Sequence, residues 1–284
     1  MALKDILVAV DDTPACRVRV ELATALAARC EAHLIALHTM PAAEMPRRRD
    51  YFDVFGRRLL APLYREFAER MQAESELAQA LFEEIVQRQG VSAEWRTATG
   101  YPSQSAALHG RYVDLIVLGQ CDPDDAQWAF FRPLPEEVAL AVGRPVLVLP
   151  YTGGWPQIAR HVLVAWDASR EATRAVNDAL PLLAQAESVT VLSVDPHADW
   201  RRHGDVPGAD IGLHLARHGV KAVVEETVSA GVGIADVLLS RASDLGADLL
   251  VMGAYGHSRV RELVLGGATR TVLDSMTLPV LLAH

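Results

Sequence analysis

Lysine is almost absent from this chain: Lys4 and Lys221 are the only two among 284 residues. That excludes a phosphate loop of the G-x4-G-K-S/T kind, which needs a lysine directly after its second glycine. Cysteine is scarce too. Cys16, Cys30 and Cys121 are odd in number and form no C-x2-C pair. Disulfide scaffolds and cysteine zinc centres are therefore set aside in favour of free buried thiols. No uncharged apolar run approaches the roughly 18 residues of a membrane helix, which leaves no membrane partner. The opening MALKDILVAV lacks the basic start and small-residue cleavage site of a secretory signal, so a cytoplasmic location is expected. Excess positive charge is also missing. The net charge of -9 divides into -5 over residues 1–150 and -4 over 151–284, and neither half carries the basic footprint of a nucleic-acid partner.

What the chain does contain is a repeat of itself. Asp5-Ile-Leu-Val-Ala-Val-Asp11 matches His161-Val-Leu-Val-Ala-Trp-Asp167 at an offset of 156. Val113-Asp-Leu-Ile-Val-Leu-Gly119 matches Ala247-Asp-Leu-Leu-Val-Met-Gly253 at an offset of 134, and Arg144-Pro-Val-Leu-Val148 matches Leu278-Pro-Val-Leu-Leu282 at the same offset. Two units of one design thus follow each other, the first with 22 extra residues between its first and fourth strands.

Each unit reads strand, helix, strand, helix, strand, helix, strand, helix, strand. In the second unit, strands are expected near 161–166, 189–194, 222–228, 248–252 and 279–283, and helices near 170–186, 208–218, 233–245 and 267–275. The strands are short continuous apolar runs, as when both sheet faces are covered. Alternation with helices predicts a parallel sheet with right-handed crossovers. The expected fold class is α/β: two tandem open-sheet domains, each a mostly parallel five-stranded sheet with helices on both faces, stacked on one another. The domains are placed at 1–150 and 157–284, joined by the turn-rich Tyr151-Thr-Gly-Gly-Trp-Pro156.

Local signals fit these boundaries. Thr13 before Pro14 reads as a helix cap and first helical residue, Ser169 plays the same capping part in the second unit, and Gly219 ends a helix. The extra segment of unit one lies near 41–75, with Pro41 and Pro46 around Arg47-Arg48-Arg49, which reads as a solvated corner. It runs into a stripe of Leu63, Phe67, Met71, Leu77, Leu81 and Ile85, mostly at four-residue steps, which predicts a crossover helix packed on the sheet.

The most informative stretch begins where a strand ends and stops where a helix begins. It is spaced Gly253-x2-Gly256-x9-Gly266-Gly267, followed by Ala268 and Thr269. In open α/β sheets ligands gather at that edge, near the point where strand order reverses. Glycines allow close backbone approach, and amides at a helix start favour phosphate oxygens. Thr269 would add a hydroxyl donor. A tight strand-to-helix turn accounts for the same glycines without any ligand.

At these residues the chain resembles the universal stress proteins, in tandem form, and the resemblance spans both units. The signature of nucleotide-binding members is G-x2-G-x9-G followed by Ser/Thr-rich residues. The second unit matches all three spaced glycines and departs only at Gly267, where Ser is usual. The resemblance implies ATP, with Mg²⁺ on its phosphates, as the cofactor of the second unit. It implies that Asp167, just after the first strand, contacts the nucleoside, that Val194 at the end of the second strand meets the adenine through its backbone, and that Gly253, Gly256, Gly266, Gly267, Ala268 and Thr269 hold phosphate and ribose. His257, next to the second glycine, is a further candidate for a phosphate. Helix capping by Asp167, core packing by Val194 and an exposed loop position for His257 are the plain alternatives. The resemblance further implies that the last strands, Arg144–Leu149 and Leu278–Ala283, pair as an internal pseudo-dimer, a homodimer remaining open.

Unit one keeps Asp11 but loses the glycines. Asp122 stands for the second glycine and Arg132-Pro133 for the final pair, with Asp124 and Asp125 adding negative charge. Acids repel phosphate, and proline has no N–H to donate. No nucleotide site of this type is expected there, and Trp128, Phe130 and Phe131 are expected to fill the vacated space. A dinucleotide fingerprint is absent, since Gly231-Val-Gly233 lacks its third glycine, and so is the H-x-G-H signature of nucleotidyl transferases. His214 and His218, with His197 and His203 upstream, suggest a metal only weakly without a placed carboxylate. Three functions stay open: a stress-response protein that binds ATP as a regulatory switch, a nucleotide-independent module docking unidentified protein partners, and a slow ATPase. No catalytic base is identifiable, and Arg259 and Arg261 in the glycine loop read as surface charge, so binding is expected rather than catalysis.

Overall fold

A computed structural model describes residues 2–40, 72–124, 133–199, 208–255 and 267–284. The first unit runs β1 (Asp5–Val10), α1 (Pro14–Cys30), β2 (His33–Met40), α2 (72–89), β3 (Ala93–Thr99), α3 (Pro102–Gly110), β4 (Leu115–Gly119), α4 (Pro135–Val142) and β5 (Val146–Leu149). The second runs β6 (His161–Ala165), α5 (Arg170–Leu183), β7 (Ser188–Val194), α6 (Ala209–Arg217), β8 (Ala222–Thr227), α7 (Ile234–Asp244), β9 (Leu249–Gly253), α8 (Ala268–Ser275) and β10 (Val280–Ala283). The strands and helices expected of the second unit are all present, with no end shifted by more than three residues.

The two sheets are not stacked. They meet edge to edge in one ten-stranded sheet of order β3-β2-β1-β4-β5-β10-β9-β6-β7-β8. Every pairing within a unit is parallel, and the seam alone is antiparallel, with Val280 opposite Val148, Leu281 opposite Leu147 and Leu282 opposite Val146. The internal pairing of last strands is therefore present. Both seam strands, Val-Leu-Val-Leu and Val-Leu-Leu-Ala, are buried throughout because helices cover both faces. The outer strands β3 and β8 carry charged and exposed positions instead, as edge strands do.

The core follows the sheet rather than the units. One face carries α1, α2, α5 and α6, with Val20, Phe82, Val176 and Leu215 in a single apolar layer. The other carries α3, α4, α7 and α8, with Ala106, Val138, Leu238 and Val272. Each layer draws residues from both halves of the chain, so the two units share two core layers. On α2 the buried stripe is Ala78, Phe82 and Ile85, and Leu77 points to solvent at 73% exposure. The four-residue steps run onto the packed face from exposed Leu77 through partly buried Leu81 to buried Ile85, whereas 78, 82 and 85 keep the i, i+4, i+7 period of a helix. Leu63, Phe67, Met71 and the arginine corner lie outside the described residues, as do Trp128, Phe130 and Phe131.

Ser169 caps α5 as expected, its hydroxyl accepting from the Ala172 amide at 3.1 Å. Thr13 occupies the matching position before α1, but its hydroxyl donates to Asp11 instead of accepting from the helix. Gly219 sits beyond α6 with φ of 78°, its amide on the Ala216 carbonyl. Among the described residues no helix is long and apolar enough to cross a membrane.

Candidate functional site

In the second unit strand order reverses between β6 and β9, which pair with each other while β7 and β8 extend to one side. The carboxyl ends of these strands are where an open α/β sheet presents a crevice. The backbone is unusual at just these ends. Ala168 beyond β6, Asp195 beyond β7, Ala230 beyond β8 and Tyr255 beyond β9 have φ between 50° and 58°, the left-handed region that side chains disfavour. No non-glycine residue in the described part of unit one has positive φ beyond a strand end. Such strain gathers where a site over-determines the chain.

Asp167 lies in the first of these turns, half-buried, and its carboxylate accepts from the Ser169 amide at 3.0 Å. It shapes the turn before α5 while Ser169 does the capping. Val194 closes β7 opposite Thr227, with its side chain against the apolar layer and its backbone at the strand end. Next to it, Asp195, Pro196, His197, Glu226, Thr227 and Val228 line a cavity of about 370 Å³. The Asp195 carboxylate accepts from the Ser229 amide at 3.0 Å, and hydrogen bonds from the Ser229 hydroxyl first and its amide second hold its pKa below the usual carboxylate range.

Gly253 does something spacing alone does not reveal. A Cβ there would lie 2.6 Å from the Ala172 amide nitrogen and 2.6 Å from the Glu171 carbonyl carbon. The first glycine lets β9 pack against the opening turn of α5, the same turn that Asp167 and Ser169 shape. Gly267 is the N-cap of α8, with φ of -62° and ψ of 160°. Ala268 follows at the first helical position, and the first helical bond runs from the Thr271 amide to the Gly267 carbonyl. Thr269 is buried, and its hydroxyl accepts from the Tyr255 amide at 3.3 Å. It thus ties the start of the glycine segment to the helix that ends it. Gly256, His257, Gly266, Arg259 and Arg261 lie outside the described residues.

The matching positions of unit one are built differently. Asp11 makes the same turn, accepting from the Thr13 amide at 3.0 Å, and then binds Arg19 through an Nη2–Oδ2 contact of 2.5 Å. Arg19 is 1% exposed, and its Nε donates to the Ala9 carbonyl at 2.8 Å. Burial alone would weaken the guanidinium's hold on its proton, but the Asp11 carboxylate and Cys16 together outweigh it and raise the pKa. At the offset of 156, Arg19 corresponds to Ala175 and Cys16 to Ala172. Beside them His38 donates through Nδ1 to the Val10 carbonyl at 3.0 Å and stacks on Trp95, where the sheet register places Ser193 and Val224 in the second unit.

The helices that follow β4 and β9 differ as well. α4 opens with Pro135 followed by Glu136 and Glu137, so carboxylates already answer the positive end of its dipole. α8 has no acid in its first turn. Arg19 is the buried charged residue that motif reading missed. The signal was available, because laying the repeat on itself puts a charged residue over an alanine in a helix.

His214 and His218 lie with ring centroids 4.6 Å apart, and His197 pairs with Glu226 at 3.1 Å. His203 falls outside the described residues, among which no group of three metal-ligating side chains converges.

The Universal stress protein family model matches the chain twice, over residues 2–150 and 159–284. A universal stress protein of Synechocystis is 32% identical over 148 residues, which cover 51% of this chain and 49% of that protein. The match thus spans about half the length of that relative. Among solved structures, a universal stress protein from Archaeoglobus fulgidus superposes with a TM-score of 0.73 at 16% identity, covering 98% of this chain and 95% of that one. A Pseudomonas aeruginosa protein of unknown function gives 0.56 at 19% identity, covering 99% and 92%. These last two likenesses speak for the fold. With both halves matched by the same family model, the chain belongs to the universal stress protein family.

Proposed function

We propose that this protein binds ATP, with Mg²⁺ on the phosphates, in its second unit, and that occupancy acts as a regulatory switch in the cytoplasm rather than as a step of catalysis. We take 1–150 and 157–284 as its two domains. The observation that carries the reading is the difference between the starts of two matching helices. α4 opens on Glu136 and Glu137, whereas α8 follows Gly267 with no acid in its first turn.

The residues present suit the ligand. Asp167 offers a carboxylate oxygen to ribose hydroxyls, and the end of β7 at Val194 offers backbone groups to a base beside the cavity of about 370 Å³. The first amides of α8 have no intrahelical acceptor and no acidic neighbour in the first turn, so they and the helix dipole favour phosphate oxygens. Gly256, Gly266 and His257 belong to this cradle on the motif alone. Mg²⁺ would need few protein ligands, since it keeps water and phosphate oxygens. Binding shifts a conformational or partner equilibrium only by as much as ATP prefers one state. The last strands are already paired within the chain, so a homodimer would use another face.

The test is a stoichiometry. Protein is denatured, released nucleotide is identified by mass, and stripped, refolded protein is titrated with Mg-ATP by calorimetry. One site per chain, lost in Gly266→Asp, is the expected result. Two sites would overturn the reading of unit one. No nucleotide and no heat from folded protein would leave the partner-docking module, and turnover that vanishes in Gly266→Asp would make the protein a slow ATPase.

A further inference from the structure

We infer that Gln120, a residue of the first unit, is a positioning residue for the phosphate-side helix of the second, and that it links nucleotide occupancy there to the junction between the units. The inference rests on the nucleotide reading for its ligand but on geometry for its contacts.

Gln120 follows β4 and is 2% exposed. Its own amide donates to the Leu149 carbonyl at 2.7 Å, which pins the backbone to β5. The side chain then crosses the seam. Nε2 donates to the Leu273 carbonyl at 2.8 Å and to the Asp274 carbonyl at 3.4 Å, in the last turn of α8. Oε1 accepts from the Tyr151 amide at 3.3 Å, the first residue of the junction. These partners fix the amide's orientation, because two carbonyls require the NH₂ and one N–H requires the oxygen.

A helix leaves its last carbonyls without intrahelical donors. α8 ends at Met276 in extended conformation, and no basic side chain lies in its last turn. Gln120 supplies a donor there. α8 has only eight residues, about 12 Å of length, so holding its last turn fixes the direction of its first. The clamp is not repeated in the other unit. At the offset of 134 the residue matching Gln120 is Ala254, which has no side chain to reach with. α4 ends instead on Gly143 at φ of 70°, and the Gly143 carbonyl accepts from Arg174 of α5 at 2.8 Å. One buried amide therefore joins the second unit's phosphate-side helix, the first unit's β4 and the junction.

The experiment is hydrogen exchange on the full chain, with and without Mg-ATP, for wild type and Gln120→Leu. In wild type, Mg-ATP should slow exchange in α8 and at Tyr151. In Gln120→Leu, Mg-ATP affinity should fall about three- to tenfold, as for loss of one or two buried hydrogen bonds, and protection should stop at α8. Unchanged affinity, or ligand protection still reaching Tyr151, would overturn the inference. If wild type binds no Mg-ATP the nucleotide reading fails, and the clamp is judged without ligand: Gln120→Leu should speed exchange in α8 more than in α4, and equal rates sink it. Should Gln120→Leu not fold, Gln120→Met makes the same deletion with an unbranched chain of equal length.

Discussion

After β1 and after β6 the chain makes the same turn. An aspartate takes the amide two residues on at 3.0 Å, and a hydroxyl residue leads into the helix. Two residues of the following helix then set the surroundings of the turn. In unit one Cys16 and Arg19 face the aspartate, and in unit two Ala172 and Ala175 stand at those positions. A repeated fold can keep its frame while one copy closes a polar corner around a buried arginine and the other sets alanines at the same positions. The largest expected effect breaks the first arrangement. Arg19→Ala, which gives unit one the residue of unit two, leaves a carboxylate with 12% side-chain exposure without its cation. Removal of one partner of a buried pair typically costs about 3–5 kcal/mol. The urea midpoint should fall accordingly, and Arg19→Ala with Asp11→Ala should recover most of the loss. Nucleotide stoichiometry should stay at one per chain, because Asp122 and Pro133 still stand where glycines are needed. A second site in Arg19→Ala would show that Arg19 alone closes the first unit.

The frame was legible in the sequence for a physical reason. Strands covered on both faces must be continuous apolar runs, and Leu-Ile-Val-Leu-Gly of β4 or Leu-Leu-Val-Met-Gly of β9 have no other reading once helices alternate with them. Edge-to-edge joining was legible only in part. The paired last strands were expected from the family resemblance, but continuity of the two apolar layers depends on which faces α1, α2, α5 and α6 share, and spacing carries no such information. The spacing places Gly253 at the start of the glycine segment but cannot show its close packing on α5, because closeness of β9 to α5 is a tertiary fact. The Gln120 amide was invisible for the same reason: its partners lie 31, 153 and 154 residues away.

A second contrast sits one helical turn before Arg19. Burial pushes the Cys16 thiol up to about 11 from an ordinary 9.0, against the nearby Arg19 charge that lowers it. Above pH 9 the unfolded chain loses this proton while the native chain keeps it. Stability is therefore fully present below pH 9 and declines as pH rises to 11, by about 3 kcal/mol if the whole shift is expressed. Cys16→Ala, the residue found at the matching position of unit two, should lack that part of the decline. The quantity to compare is the difference between the two proteins' denaturation free energies at pH 8 and pH 10.5. A constant difference would mean the thiol ionises alike in both states and that this corner of unit one is not dry.

The smallest effect sharpens the other copy. Gly267 caps α8 where the family pattern has Ser, and its φ of -62° and ψ of 160° suit any residue, so Gly267→Ser introduces no strain. Serine exceeds glycine at a helix cap by only a few tenths of a kcal/mol, so the unfolding midpoint should hardly move. On the proposed nucleotide site, a hydroxyl at the start of α8 adds one hydrogen bond to a phosphate oxygen, about 1 kcal/mol, and should tighten Mg-ATP about fivefold. In unit one the matching change, Pro133→Ser, restores an N–H and a hydroxyl but leaves Glu136 and Glu137 at the start of α4. It should bring no nucleotide binding, since those carboxylates already occupy the end of the dipole that a phosphate would use. Calorimetry of the two variants side by side separates the ways a site can be lost. If Gly267→Ser tightens binding and Pro133→Ser does nothing, the difference between the units lies in charge and space around the helix start. If both bind, the missing amide of Pro133 was the only barrier in unit one.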